Sequence, residues 1–230
     1  MGIQERYRGI QEELAQECVR AGRNPSEVTL IAVSKTVGPE EVGLAMQAGA
    51  RDFGENRPDE LMCKAAVHPQ ATWHFIGNIQ SRRIHDIVPH AALIHSLFHE
   101  NHARKIDEVA RLEGKVQDVL LEVNVSGEQS KGGVAMQDAP ELLSLCVALP
   151  NVRVRGLMTM APQGDLNVAR EVFEGLAALK AQLRETLEPQ AAAAFDGLSM
   201  GMSEDWREAV AAGATMVRIG RAVFSDAFTD

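Results

Sequence analysis

Eight short runs of strand character, each trailed by a helix-sized segment, organise this 230-residue sequence. They are 28–34 (VTLIAVS), 51–54 (RDFG), 73–76 (WHFI), 92–97 (ALIHSL), 118–125 (DVLLEVNV), 152–159 (VRVRGLMT), 196–200 (DGLSM) and 215–219 (TMVRI). Between them the apolar period lengthens to that of a helix. In 39–48, Val42, Ala45 and Met46 share a face; in 167–187, Val168, Val172, Leu176, Leu179, Leu183 and Leu187 make one long stripe. Ahead of the first run, Ile3, Tyr7, Ile10 and Leu14 predict an amphipathic helix over 3–21 that Gly22 stops. Eight βα units at this length predict an α/β fold, a single (β/α)8 barrel of the TIM type with an extra N-terminal helix; a doubly wound open sheet is the rival. No Gly-, Ser- or Pro-rich linker divides the chain, and no second domain is expected after the eighth strand. Residues 1–230 are therefore read as one barrel domain, with the alanine tract 190–194 as a loop or helix end.

Charge and cysteine usage narrow the classes of partner. The net charge is -9 and no basic tract offsets it, which argues against binding nucleic acid. The three cysteines, Cys18, Cys63 and Cys146, lie far apart and form no CxxC pair, as in a reduced, cytoplasmic protein. The start, MGIQERYRGIQEEL, is charged and lacks the apolar core of a signal peptide; Gly2 invites myristoylation, but Arg6 stands where Ser or Thr is wanted. No stretch is long and apolar enough to span a membrane.

The chemistry gathers at strand ends. In TLIAVSKTVGPEEV (29–42), alternation puts Ile31, Val33 and Lys35 on one face and Leu30, Ala32 and Ser34 on the other. If the first set points into the barrel, Lys35 stands at the C-terminal mouth, where barrel enzymes keep their active sites. Ringed by apolar groups it would favour the neutral amine and attack carbonyls; the alternative is a lysine snorkelling out at a strand end. Near the other terminus, LSMGMSEDWREAV (198–210) and MVRIGRAVF (216–224) each carry a strand into a glycine turn and a helix. Loops after the seventh and eighth strands often hold phosphate, and Gly201 and Gly220 allow close backbone approach. Ser203 can donate a hydroxyl there, or cap the helix that follows. Arg218 shares a face with Met216 and Gly220 and needs an acceptor: a phosphate, an aromatic ring nitrogen or a structural carboxylate.

Other residues are less distinctive. Asn56 in FGENRPDE stands at the mouth after the second strand, or is a turn residue. His74 in WHFIG fits a satisfied core histidine. His85, His90, His95, His99 and His102 lack a metal-binding frame, so no metal is expected. Lys131, in the loop NVSGEQSKGG, is either a second ligand contact or an exposed lysine. A reactive lysine, a phosphate cup and an arginine on one mouth suit a ligand with an aldehyde and a phosphate, such as pyridoxal 5′-phosphate (PLP).

The blocks AVSKT, FGEN, WHFIGNIQS, NVSGEQSKGG, GLMTM, LSMGMSEDW and MVRIG, in this order from about residue 28 onward, resemble the signatures of the pyridoxal phosphate homeostasis protein family (YggS/PROSC type). That family is similar to the N-terminal barrel of alanine racemase, fold-type III among PLP proteins. The resemblance implies a Schiff base between Lys35 and PLP, a phosphate held by Gly201, Ser203 and the Gly220–Arg221 backbone, and Arg218 at the ring nitrogen or in the phosphate network. Asn56, His74 and Met158 count among the cofactor-binding residues, and no residue is assigned to catalysis. It further implies a monomer or weak dimer that binds, stores or delivers PLP, with PLP-dependent apoenzymes as recipients and no robust catalytic activity.

Two other functions compete: a PLP-dependent amino-acid racemase, and a cofactor-free Schiff-base lyase acting on a sugar phosphate. Racemisation needs acid–base groups on both faces of the substrate. In alanine racemase the second is a tyrosine from a separate C-terminal domain. That domain is not expected here, and Tyr7, the one tyrosine, reads as a packing residue. The sequence departs from the family pattern at Arg221, where many members carry a small residue, at FSD in place of FG plus a basic residue, and at Pro58, expected to stiffen its loop.

Overall fold

Each of the eight β-type runs forms a strand, within a residue or two of the expected limits. The computed structural model describes residues 1–128 and 132–228. Its strands are β1 (Thr29–Val33), β2 (Asp52–Glu55), β3 (Thr72–Phe75), β4 (Leu93–Leu97), β5 (Gln117–Asn124), β6 (Val134–Ala135), β7 (Val152–Met158), β8 (Gly197–Ser199) and β9 (Met216–Ile219). The helices are α1 (Ile3–Arg20), α2 (Pro39–Gln47), α3 (Pro58–Val67), α4 (Ile84–Ile87), α5 (Glu100–Leu112), α6 (Ala139–Val147), α7 (Leu166–Glu185), α8 (Pro189–Ala194), α9 (Trp206–Ala211) and α10 (Arg221–Phe224).

All pairings are parallel. They run β1–β2–β3–β4–β5–β7–β8–β9, and β9 pairs back with β1 through Thr29↔Met216 to Ala32↔Ile219. This closure makes an eight-stranded barrel and excludes the open sheet, which would leave two edges. The two-residue β6 adds only to the end of β5, and no pattern in the sequence announced it. The alanine tract, expected as loop or helix end, is the six-residue helix α8: Pro189 opens it and alanine has the highest helix propensity.

Strand alternation sorts the core into two layers. Outward residues such as Leu30, Ala32, Phe53, Trp73 and Phe75 join the large apolar layer between barrel and helices. Burying a leucine or phenylalanine side chain there is worth about 1.5–3 kcal/mol. Inward residues Leu93, Leu120 and Met158, with Met216 against them, make a small separate cluster inside the barrel. The other described inward positions include polar groups: His74, His95, Ser199 and Arg218 are all buried. Because every strand runs the same way, the loops that follow β1, β2, β3, β7, β8 and β9 meet at one mouth. Asp165 accepts hydrogen bonds from the Asn167 and Val168 N–H groups, which starts α7 at that mouth and leaves Val168 exposed rather than buried in the stripe.

Candidate functional site

A cleft of about 470 Å³ opens at the C-terminal mouth, and Lys35, Asn56, Met158, Ser203, Arg218, Gly220 and Arg221 line it. Ile31 and Val33 do point inward: an added Cβ on Gly54 would touch both. Lys35 lies two residues beyond the last residue of β1, however, and its side chain is exposed. The apolar groups expected around it do not bury it: Lys35 is exposed beside a cleft whose lining includes Val33, Ile76, Met158 and Met160. Among the described residues its Nζ has no hydrogen-bond or ion-pair partner, which leaves it available to a ligand.

Arg218 is the buried cation of the cleft. Its Nη1 donates to Ser199 Oγ at 2.6 Å and its Nη2 to the Thr159 carbonyl at 3.0 Å. Burial pulls it down to about 10, against the opposing pull of Asp205 and Glu122, so it remains charged at neutral pH. No carboxylate pairs with it directly among the described residues. The turn 202–205 is braced by the Met202 N–H donating to Asp205 Oδ1 at 2.6 Å. Burial raises that carboxyl above its ordinary range, opposed by this bond and by Arg218. Ser203 Oγ accepts from the Ala222 N–H at 3.4 Å, tying this turn to the one at Gly220. The N–H groups of Ser203, Glu204 and Arg221 donate to nothing among the described residues. An unpartnered amine, a buried guanidinium and free amides on two adjoining turns fit an aldehyde-bearing phosphate ester.

Two expected site residues fall elsewhere. His74 lines a pocket of about 530 Å³ at the opposite, N-terminal mouth. It is an interior residue of β3, level with Gly54 and Leu93, and the C-terminal mouth lies beyond Phe75. Charges around that second pocket are largely satisfied: Arg155 pairs with Asp118, and Arg23 donates to the Val210 and Ala214 carbonyls. Gly201 faces α9 instead of the cleft. Its φ is +92°, and a Cβ there would sit 2.6 Å from Ala209 Cβ and 2.9 Å from Trp206 Cα, so its bareness serves the turn and helix packing. Gly220 does line the cleft, packed on Val33. Arg221 pairs with Glu204 at 2.8 Å, both about half exposed. Pro58 is the first residue of α3. Tyr7 is buried in the helix layer, as expected. Lys131 lies outside the described residues.

The strongest feature the sequence did not disclose sits directly beneath Lys35. Lys64, fully buried on α3, donates to Glu55 Oε1 at 2.6 Å and to the Ser34 carbonyl at 2.9 Å; Ser34 Oγ donates to the same Glu55 oxygen at 2.7 Å. This cluster bolts the ends of β1 and β2 together just before Lys35 and Asn56. The one local signal was Glu60 and Lys64 at i,i+4, which meet at 3.3 Å. Thr36, Gly77, Asn78, Met160, Gln163 and Met202 also line the cleft and were not singled out. Among the described residues no group of three His, Cys, Asp or Glu could hold a metal, and no helix is long and apolar enough to cross a membrane.

The family model described as alanine racemase, N-terminal domain, matches residues 12–227. The pyridoxal phosphate homeostasis protein of Aquifex aeolicus is 39% identical, over 98% of this chain and 99% of its own. That of Escherichia coli K12 is 35% identical, over 94% and 92%. The chain belongs to the pyridoxal phosphate homeostasis protein family. Among solved structures, PipY of Synechococcus elongatus with PLP bound is 34% identical with a TM-score of 0.80, covering 92% of this chain and 100% of that one. Alanine racemase of Corynebacterium glutamicum is 18% identical with a TM-score of 0.73, covering 99% of this chain and 62% of that one, and shares the fold. Membership of the homeostasis family thus rests on relatives matched along nearly their whole length, whereas the racemase likeness is one of architecture. The racemase alternative is not favoured.

Proposed function

We propose that this chain binds PLP in the C-terminal cleft and serves intracellular PLP homeostasis, holding or passing on the cofactor without catalysing a robust reaction of its own. Bound PLP supplies an aldehyde that condenses with a primary amine, and a phosphate that is largely dianionic at neutral pH. Lys35 is the covalent anchor. The Ser203 hydroxyl and the free amides at 203–204 and 221 hold the phosphate, and Arg218 supplies the buried positive charge. Asn56 and Met158 form the wall, and Gly201 sets the shape of the turn. The observation that carries the reading is the convergence on one cleft of an unpartnered lysine, a buried arginine and orphaned amides. That PipY was solved with PLP bound supports it. The whole chain 1–230 would act as one PLP-binding domain, a cytoplasmic monomer or weak dimer with PLP-dependent apoenzymes as recipients.

The test is chemical. Protein mixed with PLP is reduced with borohydride, digested and analysed by mass spectrometry. A pyridoxyl group on Lys35, lost in a folded Lys35→Ala variant, is the expected result. Label on other lysines only, with Lys35 bare, overturns the assignment.

A further inference from the structure

Arg218 is also one end of a file of hydrogen-bonded side chains running through the barrel from one mouth to the other. The file holds Asp52 on β2, His74 on β3, His95 on β4, Ser199 on β8 and Arg218 on β9. Asp52 Oδ1 lies 3.1 Å from His74 Nε2, and His74 Nδ1 lies 2.9 Å from His95 Nε2. His95 Nδ1 lies 2.9 Å from Ser199 Oγ, and Ser199 Oγ 2.6 Å from Arg218 Nη1. All but Asp52 are buried.

Chemistry fixes the direction of these bonds. Arginine only donates, so Ser199 Oγ accepts from Arg218 and has one hydrogen to give, which goes to His95 Nδ1. Burial, reinforced by His74 and Arg218, holds the His95 imidazole well below its usual range, so the ring is neutral. Its single proton is then on Nε2 and donates to His74 Nδ1; His74 in turn donates from Nε2 to the Asp52 carboxylate. Doubly protonating His74 would reverse both imidazole bonds and leave the Ser199 hydroxyl hydrogen without an acceptor among the described residues. With both rings neutral the file therefore has one satisfied arrangement, and networks of this kind rigidify their members.

Arg218 is held at two points, the Thr159 carbonyl and Ser199. Its Nε–H and a second hydrogen on each terminal nitrogen have no acceptor among the described residues, and the residue lines the cleft. We propose that Ser199 and His95 are positioning residues for the cofactor site: through this file they aim the free N–H groups of Arg218 at the ligand. This rests on the PLP reading of the cleft.

The experiment compares PLP affinity, the absorbance band of bound PLP and the melting temperature of the PLP-free protein across variants. Ser199→Ala removes the acceptor of Arg218 and should weaken PLP binding by about tenfold, the scale of one charge-assisted hydrogen bond, and alter the band. Ser199→Thr, which keeps the hydroxyl, should restore most of the affinity. In an Arg218→Gln background, Ser199→Ala should have no further effect on affinity, because it acts only through the arginine. Should Ser199→Ala fail to fold, His95→Leu, which unties the hydroxyl, should weaken binding by about threefold on the scale of a neutral hydrogen bond. Parent-like affinity in a folded variant, or additive effects with Arg218→Gln, overturns the file. A parent protein that traps no pyridoxyl group on reduction overturns the cofactor reading instead.

Discussion

Replacing Lys64 with alanine should be among the most damaging single changes outside the cleft. Both Lys64 and Glu55 have fully buried side chains. Glu55 Oε1 takes the ammonium and the Ser34 hydroxyl, while Oε2 has no partner among the described residues. Without the ammonium, a buried carboxylate keeps one neutral donor, and the Ser34 carbonyl loses its side-chain donor. Breaking a buried pair from one side costs about 3–5 kcal/mol, because the remaining charge stays desolvated. For a chain of this size each kcal/mol moves the melting temperature by roughly 2–4 °C, which gives a drop of about 6–20 °C. Urea unfolding of the PLP-free protein measures it, with an unchanged m-value confirming that stability alone has moved. The double variant Lys64→Met, Glu55→Gln removes both charges, keeps an acceptor for Ser34 and should recover most of the loss. A loss in Lys64→Ala below about 1 kcal/mol, the scale of an exposed pair, would refute the reasoning, as would failure of the double variant to recover.

Four further outcomes follow from the geometry. Burial pushes Glu122 up to about 7 from an ordinary 4.5, opposed by Arg218, so between these values the folded chain holds a proton that the unfolded chain has released. Stability thus falls as pH rises through this window, by up to about 3 kcal/mol, and the fall should vanish in Glu122→Gln; parallel stability–pH curves for the two PLP-free proteins would contradict this. Gly201→Ala places a Cβ against Ala209 and Trp206 at positive φ and should cost about 1–3 kcal/mol in urea unfolding, whereas parent-like stability would mean that α9 shifts freely. Arg218→Gln should weaken PLP binding by about 10–100-fold in a titration of folded protein; unchanged affinity with a large drop in melting temperature would make it a structural arginine. With PLP bound, the protein should exchange the α-proton of L-alanine with deuterated water no faster than free PLP does, since Tyr7 is buried in the helix layer; Lys35-dependent exchange would revive the racemase reading.

The strands were legible because their apolar runs are bounded by turns and helical stripes, and that order alone argues for a closed barrel. Grouping was legible too: alternation put Ile31 with Val33, and Arg218 with Met216, on one face each, and barrel closure turned those faces inward. Depth was not. Alternation assigns a side, but height along the axis depends on where each strand starts, at about 3.3 Å per residue. Lys35 was expected to be ringed by apolar groups but is exposed past the end of β1, and His74, counted among the cofactor-binding residues, lines the pocket at the opposite mouth. Gly201 shows a different ambiguity. A glycine after a strand serves equally to admit a ligand or to admit a helix, and only the position of Ala209 decides between them.

The buried polar groups mark the real boundary of a linear reading. Lys64 and Glu55 are nine residues apart, and each looks ordinary alone, one on a helix and one after FG. Nothing local says that both are stripped of water. His95 sits in ALIHSL beside Ser96, and Ser199 in GLSM, runs that read as plain strands with one or two polar residues. They are 104 positions apart and touch only because closure of the barrel turns β4 and β8 toward the same axis. Once they touch, their chemistry has little freedom. A guanidinium at one end can only donate and a carboxylate at the other can only accept, so with both rings neutral every bond between them is oriented. Position in the fold therefore turns an unremarkable serine and histidine into partners in the file that ends at Arg218 in the C-terminal cleft.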